Sequence, residues 1–183
     1  LFKGNVLNEY NSITKNDGTP FKVFSPFWRH AEQIYLDKVP PKENKIKKLN
    51  KKLSIFNSKN KPKDLLPKYD WYKKFENYWN VSEKDSHNEL QNFLKERILK
   101  YSNDRDFPSL NGSSKLSPYI RNGQLNVNKI WKSCSSIKNK NIGVRKYLNE
   151  LGWREFSHSL INYFPEMLKG NLRKEFDKFP WEK

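Results

Sequence analysis

One cysteine, Cys134, stands in 183 residues. No internal disulfide can form, and the pattern is not that of a stapled secreted scaffold. Histidine is scarce too. His30, His87 and His158 are scattered, with no cysteine or carboxylate at ligand spacing, so no metal site is expected. No apolar run approaches the roughly 20 residues of a membrane span, and no signal peptide is visible. The chain begins at Leu1 and not at Met, which raises the expectation of a missing beginning. Acid is in short supply: 20 Asp and Glu face 36 Lys and Arg, for a net charge of +16.

The composition is polar, with a mean hydropathy of −1.00, yet 15% of residues are aromatic. That aromatic content does not fit a disordered chain. Rings for stacking and positive charge for phosphates suit a nucleic-acid partner. The plainer reading is codon bias, since Lys and Asn are abundant everywhere. The length suits one ordinary domain.

Residues 1–17 read as polar loop, and Asp17-Gly18-Thr19-Pro20 as a turn. Phe21 to Phe24 reads as a short strand or extended segment. Ser25 and Pro26 resemble an N-cap and first helical residue, with Phe27, Trp28 and Ile34 on the apolar side. Val39 to Lys68 is linker-like, opening on Pro40-Pro41 and dominated by Lys and Asn. Trp71, Phe75, Tyr78 and Trp79 share a face at helical spacing, which predicts packing. Ser82 with Asp85 three residues on resembles a capping box. The helix it opens is expected to end near Asn103-Asp104.

The stretch from Tyr101 to Asn126 holds Gly112-Ser113-Ser114-Lys115-Leu116-Ser117-Pro118. Glycine lets backbone come close to a ligand. Hydroxyls and free N–H groups ahead of a helix start, with Ser117 as cap, make a layout that suits a phosphate. Ser-rich turns before helices are also common without any ligand. A short helix over Asn128 to Ser136 and a basic loop follow. A long helix then starts near Gly143 and ends before Pro165. It carries NELGWREFS, Asn149 to Ser157. At about 100° per residue, Glu150, Trp153, Arg154, Ser157 and Ile161 form one stripe, and Val144, Leu148 and Leu151 another. A stripe mixing charges with Trp suits a planar ligand that bears rings and phosphates. The bland alternative is a Glu150–Arg154 pair at i,i+4 beside an ordinary packing Trp.

NELGWREF resembles the helix motif of the DNA photolyase/cryptochrome family, and more narrowly that of class I cyclobutane pyrimidine dimer photolyases. GTPFKVFSPFWRH resembles the family segment that leaves an N-terminal α/β domain. Tyr101, Arg105 and the Gly112–Pro118 run match a family pattern, with Ser113 for the usual Thr and Lys115 for Arg. NLRKEFDKFPW resembles the segment ending at an outer electron-transfer tryptophan, here Trp181. The resemblance implies a mainly α fold: the N-terminal half of the helical FAD-binding domain over 69–183. It would follow the C-terminal end of an α/β antenna domain at 1–27 and an interdomain linker at 28–68. The whole would be an internal fragment.

The same resemblance implies FAD held by Tyr101, Ser113, Ser114, Lys115, Leu116, Ser117, Tyr147 and Arg154. A folate or deazaflavin antenna would lie in the preceding domain. UV-damaged DNA would meet Arg105, Glu150, Trp153, Arg154 and Ser157. Trp153 would pack on a flipped dimer, and Glu150 would hydrogen-bond its base, as a protonated or water-bridged donor. Trp181 would relay an electron. The expected enzyme is a monomeric, cytoplasmic, nucleoid-associated lyase. Two alternatives stand beside it: a cryptochrome-type photoreceptor, which commonly carries Gln at the Glu150 place, and a basic DNA-binding fragment without flavin.

Overall fold

The computed structural model describes residues 5–9, 11–36, 67–138 and 141–180. Regular structure among them is helical throughout, in keeping with the mainly α class read from the sequence. The helices are α1 (Phe24–Leu36), α2 (Glu83–Asn92), α3 (Tyr101–Asp104), α4 (Ser117–Arg121), α5 (Val127–Ser135) and α6 (Ile142–Tyr163). Short 3₁₀ turns cover Asp70–Asn77, Pro165–Leu168 and Lys174–Lys178. No helix among the described residues is long and apolar enough to cross a membrane.

The chain divides into two units, Leu1–Pro40 with Ser82–Lys183, and Pro41–Val81. The sequence boundary drawn between residues 27 and 28 therefore falls inside α1, and both sides of it belong to one unit. The strand expected at 21–24 does not form. A strand needs a partner for its N–H and C=O groups, and no strand exists among the described residues. Phe24 already opens α1, and Phe21 is buried edge-on to Phe27 at 6.1 Å.

α6 is the spine of the first unit. Its buried face runs through Val144, Tyr147, Leu148, Leu151, Gly152, Glu155, Phe156 and Ser159, against α1, α3 and α5. Asn141 caps it by accepting the Val144 N–H at 3.2 Å. Glycine in mid-helix costs about 1 kcal/mol against alanine. Gly152 is there because the Trp28 indole of α1 lies flush on the helix, and a Cβ would come within 2.5 Å of it. Asn149 accepts the Trp28 indole N–H at 2.9 Å, locking the same contact.

The N-terminal stretch expected as polar loop is a strap. Val6, Leu7 and Ile13 are buried, and Leu7 N–H donates to Glu155 of α6 at 2.8 Å. Asp17 does form its turn, accepting the Thr19 N–H at 2.9 Å, with Gly18 at φ 78°. Ser82 caps α2 by accepting the Asp85 N–H at 3.0 Å, as the capping pattern predicts. The helix it opens is not continuous. A π turn at Phe93–Arg97 unwinds it before α3 restarts at Tyr101, the kind of local bulge that re-aims the next turn.

In the second unit, Trp71, Phe75 and Tyr78 are exposed. Trp71 and Phe75 do meet, edge to face at 5.9 Å, but the segment winds as 3₁₀ and the rings are exposed, so the buried packing expected from a 3.6-residue period is absent among the described residues.

Candidate functional site

The α6 stripe emerges as the spacing predicts: Trp153, Ser157 and Ile161 are exposed, Glu150 and Arg154 half-buried, and Val144, Leu148 and Leu151 buried. Trp153 is 46% exposed. One face of its ring is stacked on Phe24 of α1, with centroids 3.7 Å apart and planes 10° apart. Phe156 meets it edge-on at 6.1 Å. Ser157 donates its hydroxyl to the Trp153 carbonyl at 2.9 Å.

The two charges on the stripe part company. Glu150 ion-pairs with Arg105, the residue that follows α3, and not with Arg154. The Arg105 guanidinium lies 5.4 Å over the Tyr101 ring, and its Nε reaches Asp106 at 3.3 Å. Its pKa is raised, chiefly by the hydrogen bond to Glu150. Arg154, expected at phosphate and flavin, donates to the Asn5 carbonyl at 2.5 Å and to the Asn5 side chain at 2.6 Å. Glu155 lies 3.3 Å from it. The strap brings the Asn5 carbonyl and side chain to Arg154, and Glu155 beside it on α6 adds a buried carboxylate.

Below Glu150 is an aromatic floor. Tyr101 meets Phe93 at 5.8 Å and Tyr147 at 5.1 Å, both edge to face. Burial raises the pKa of both phenols. At Tyr147 burial is the larger cause, and the nearby Ser114 side chain opposes it. Gly112 in the hydroxyl loop is pressed onto the Asp104 backbone, where a Cβ would lie 2.5 Å from the Asp104 carbonyl oxygen. Lys115 takes a left-handed conformation at φ 55°, which costs an L-residue about 1–2 kcal/mol. The kink leaves Ser113, Lys115 and Ser117 exposed and sinks Leu116 into the core.

No protein-family model matches the chain. A deoxyribodipyrimidine photo-lyase of Agrobacterium fabrum is 30% identical over 189 residues, covering 98% of this chain and 38% of that protein. One from Alkalihalophilus pseudofirmus is 27% identical, covering 98% of this chain and 37% of that protein. The crystal structure of a class III photolyase from Agrobacterium tumefaciens matches 100% of this chain and 38% of its own, with a TM-score of 0.75 at 28% identity. Over nearly its whole length the chain is similar to photolyases. It spans about two fifths of the length of these relatives.

The hydroxyl loop can be weighed as a holder for a phosphate-bearing cofactor. Ser113, Ser114, Lys115 and Ser117 fit a phosphate-bearing group: three hydroxyls and an ammonium beside a turn that only glycine at 112 allows. The helix after them has five residues and no side-chain cap, Leu116 and not Ser117 preceding it. Its dipole is therefore small, and the donors must come from side chains and loop N–H groups. Tyr147 and Leu116 are core residues, and serve the loop by packing beneath it. Arg154 is held by the strap. Trp181 lies outside the described residues. The sequence reading missed Phe24, Asn5 and Glu155. All three act across 120 residues or more, or by burial on the spine, and no local pattern announces that.

Proposed function

We propose that the protein splits cyclobutane pyrimidine dimers in UV-damaged DNA in a light-driven reaction with FAD. The observation that carries this reading is the exposed Trp153 ring one helical turn from the Glu150 carboxylate. A stacked base cannot enter a pocket, and a dimer, already poorly stacked, costs less to flip out. Trp153 offers it a flat apolar wall. Paired with Arg105, Glu150 is a carboxylate and hence an acceptor. It therefore takes the imide N–H of the flipped pyrimidine, in place of the donor role expected from the sequence. Ser113, Ser114, Lys115 and Ser117 would hold the phosphates of FAD, which supplies the electron when bound and reduced. Trp181, as an outer relay, would restore the flavin. A carboxylate at 150, where cryptochromes commonly carry an amide, favours repair over signalling.

The test is light-dependent loss of dimers from UV-irradiated oligothymidylate. Glu150→Ala should lower the yield per photon by about tenfold, the scale of one charge-assisted hydrogen bond, while the flavin absorbance stays. An unchanged yield removes Glu150 from the mechanism, and no light-dependent loss by the parent protein removes the enzyme reading.

A further inference from the structure

We propose that Arg105 is a positioning residue for Glu150: held between the Tyr101 ring and the Glu150 carboxylate, it aims that carboxylate at a flipped base and does not grip the DNA backbone. The inference rests on the functional reading above and deepens it.

Three contacts fix the guanidinium: the Glu150 ion pair, the Tyr101 ring 5.4 Å away and Asp106 at 3.3 Å. Tyr101 in turn cannot shift without disturbing Phe93 and the deeply buried Tyr147. The arginine thus stands on a rigid floor. Glu150 by itself would not be so placed. It sits on a partly exposed helix face, where a side chain with three rotatable bonds samples several rotamers. Arg105 occupies Oε1, which leaves Oε2 to accept an imide N–H. Two carboxylates, Glu150 and Asp106, already neutralise the guanidinium. A phosphate arriving at the remaining N–H groups would meet a charge already offset and two nearby carboxylates, so a backbone contact is the weaker use of this side chain.

The decisive measurement is equilibrium binding in the dark. The whole protein is titrated with a dimer-containing oligonucleotide and its undamaged twin, at several salt concentrations. Arg105→Ala should reduce the preference for the dimer by about tenfold, leave affinity for the undamaged strand within about twofold, and leave the salt slope unchanged. In a Glu150→Ala background the same change should subtract nothing further. Arg105→Lys, which keeps the charge, should recover most of the preference, with melting curves showing all variants folded. Equal loss on both strands with a salt slope smaller by about one phosphate would make Arg105 a backbone contact and overturn the proposal. A parent that prefers the dimer while Arg105→Ala keeps that preference overturns this inference alone. A parent with no preference overturns the functional reading and this inference with it.

Discussion

Gly152 shows what a single missing side chain does here. In an exposed helix, Gly→Ala gains about 1 kcal/mol. At 152 the new methyl would enter the Trp28 ring, and overpacking costs about 1–3 kcal/mol. Gly152→Ala should therefore lower stability, read as an earlier urea midpoint, while Gly123→Ala tests the milder strain of a positive φ with open space around it. The same residue marks the limit of legibility. Spacing along NELGWREFS gives the direction in which Glu150, Trp153 and Arg154 leave the helix, and the structure agrees. It does not give what comes to meet them. Arg154 sits at i+4 from Glu150 and still turns to Asn5, while Glu150 finds an arginine 45 residues away. Lys115 at φ 55° is equally opaque, because lysine in a sequence says nothing of a left-handed turn.

Among the elements, capping was readable in part. Ser82 with Asp85 opens α2 as the pattern predicts, whereas Ser25 and Ser117, also read as caps, lie inside helices that begin at Phe24 and at Ser117. Asn126, which does open α5 by accepting the Asn128 N–H at 2.8 Å, carried no such reading. The π turn after α2 and the 3₁₀ winding at 70–77 were not readable, since both override the period that the apolar residues announce. The strap was misread for another reason. Its few apolar residues, Val6, Leu7 and Ile13, follow neither helical nor strand spacing, and only the surfaces of α1 and α6 give them a place to bury. Glu155 anchors it. Glu155→Ala would leave the buried Leu7 N–H without an acceptor, at about 1–3 kcal/mol, and would loosen Arg154 as well. The expected result is a lower urea midpoint, with faster amide exchange at residues 5–9. Unchanged exchange there would mean that the apolar residues hold the strap unaided.

For the molecule as a whole, the net charge of +16 is unevenly spread along the chain. Ten of the 36 basic residues and three of the 20 acidic ones lie in 37–66. That segment, outside the described residues, thus carries a disproportionate share of the excess. Stability should also depend on pH through His158. Its pKa is lowered from 6.5, first by burial and then by Arg154. A lowered folded value means that the unfolded chain binds the proton more readily. The stability is thus present above pH 6.5 and is lost as pH falls through the folded value. The melting temperature should drop between about pH 7.5 and pH 5, and His158→Gln should flatten that slope. The Phe24 ring behind Trp153 has a further effect. With one indole face already taken, the tryptophan is a wall and not a slot. A planar guest is covered from a single side and can arrive from a single direction. Whatever else holds such a guest must then come from contacts at its edge.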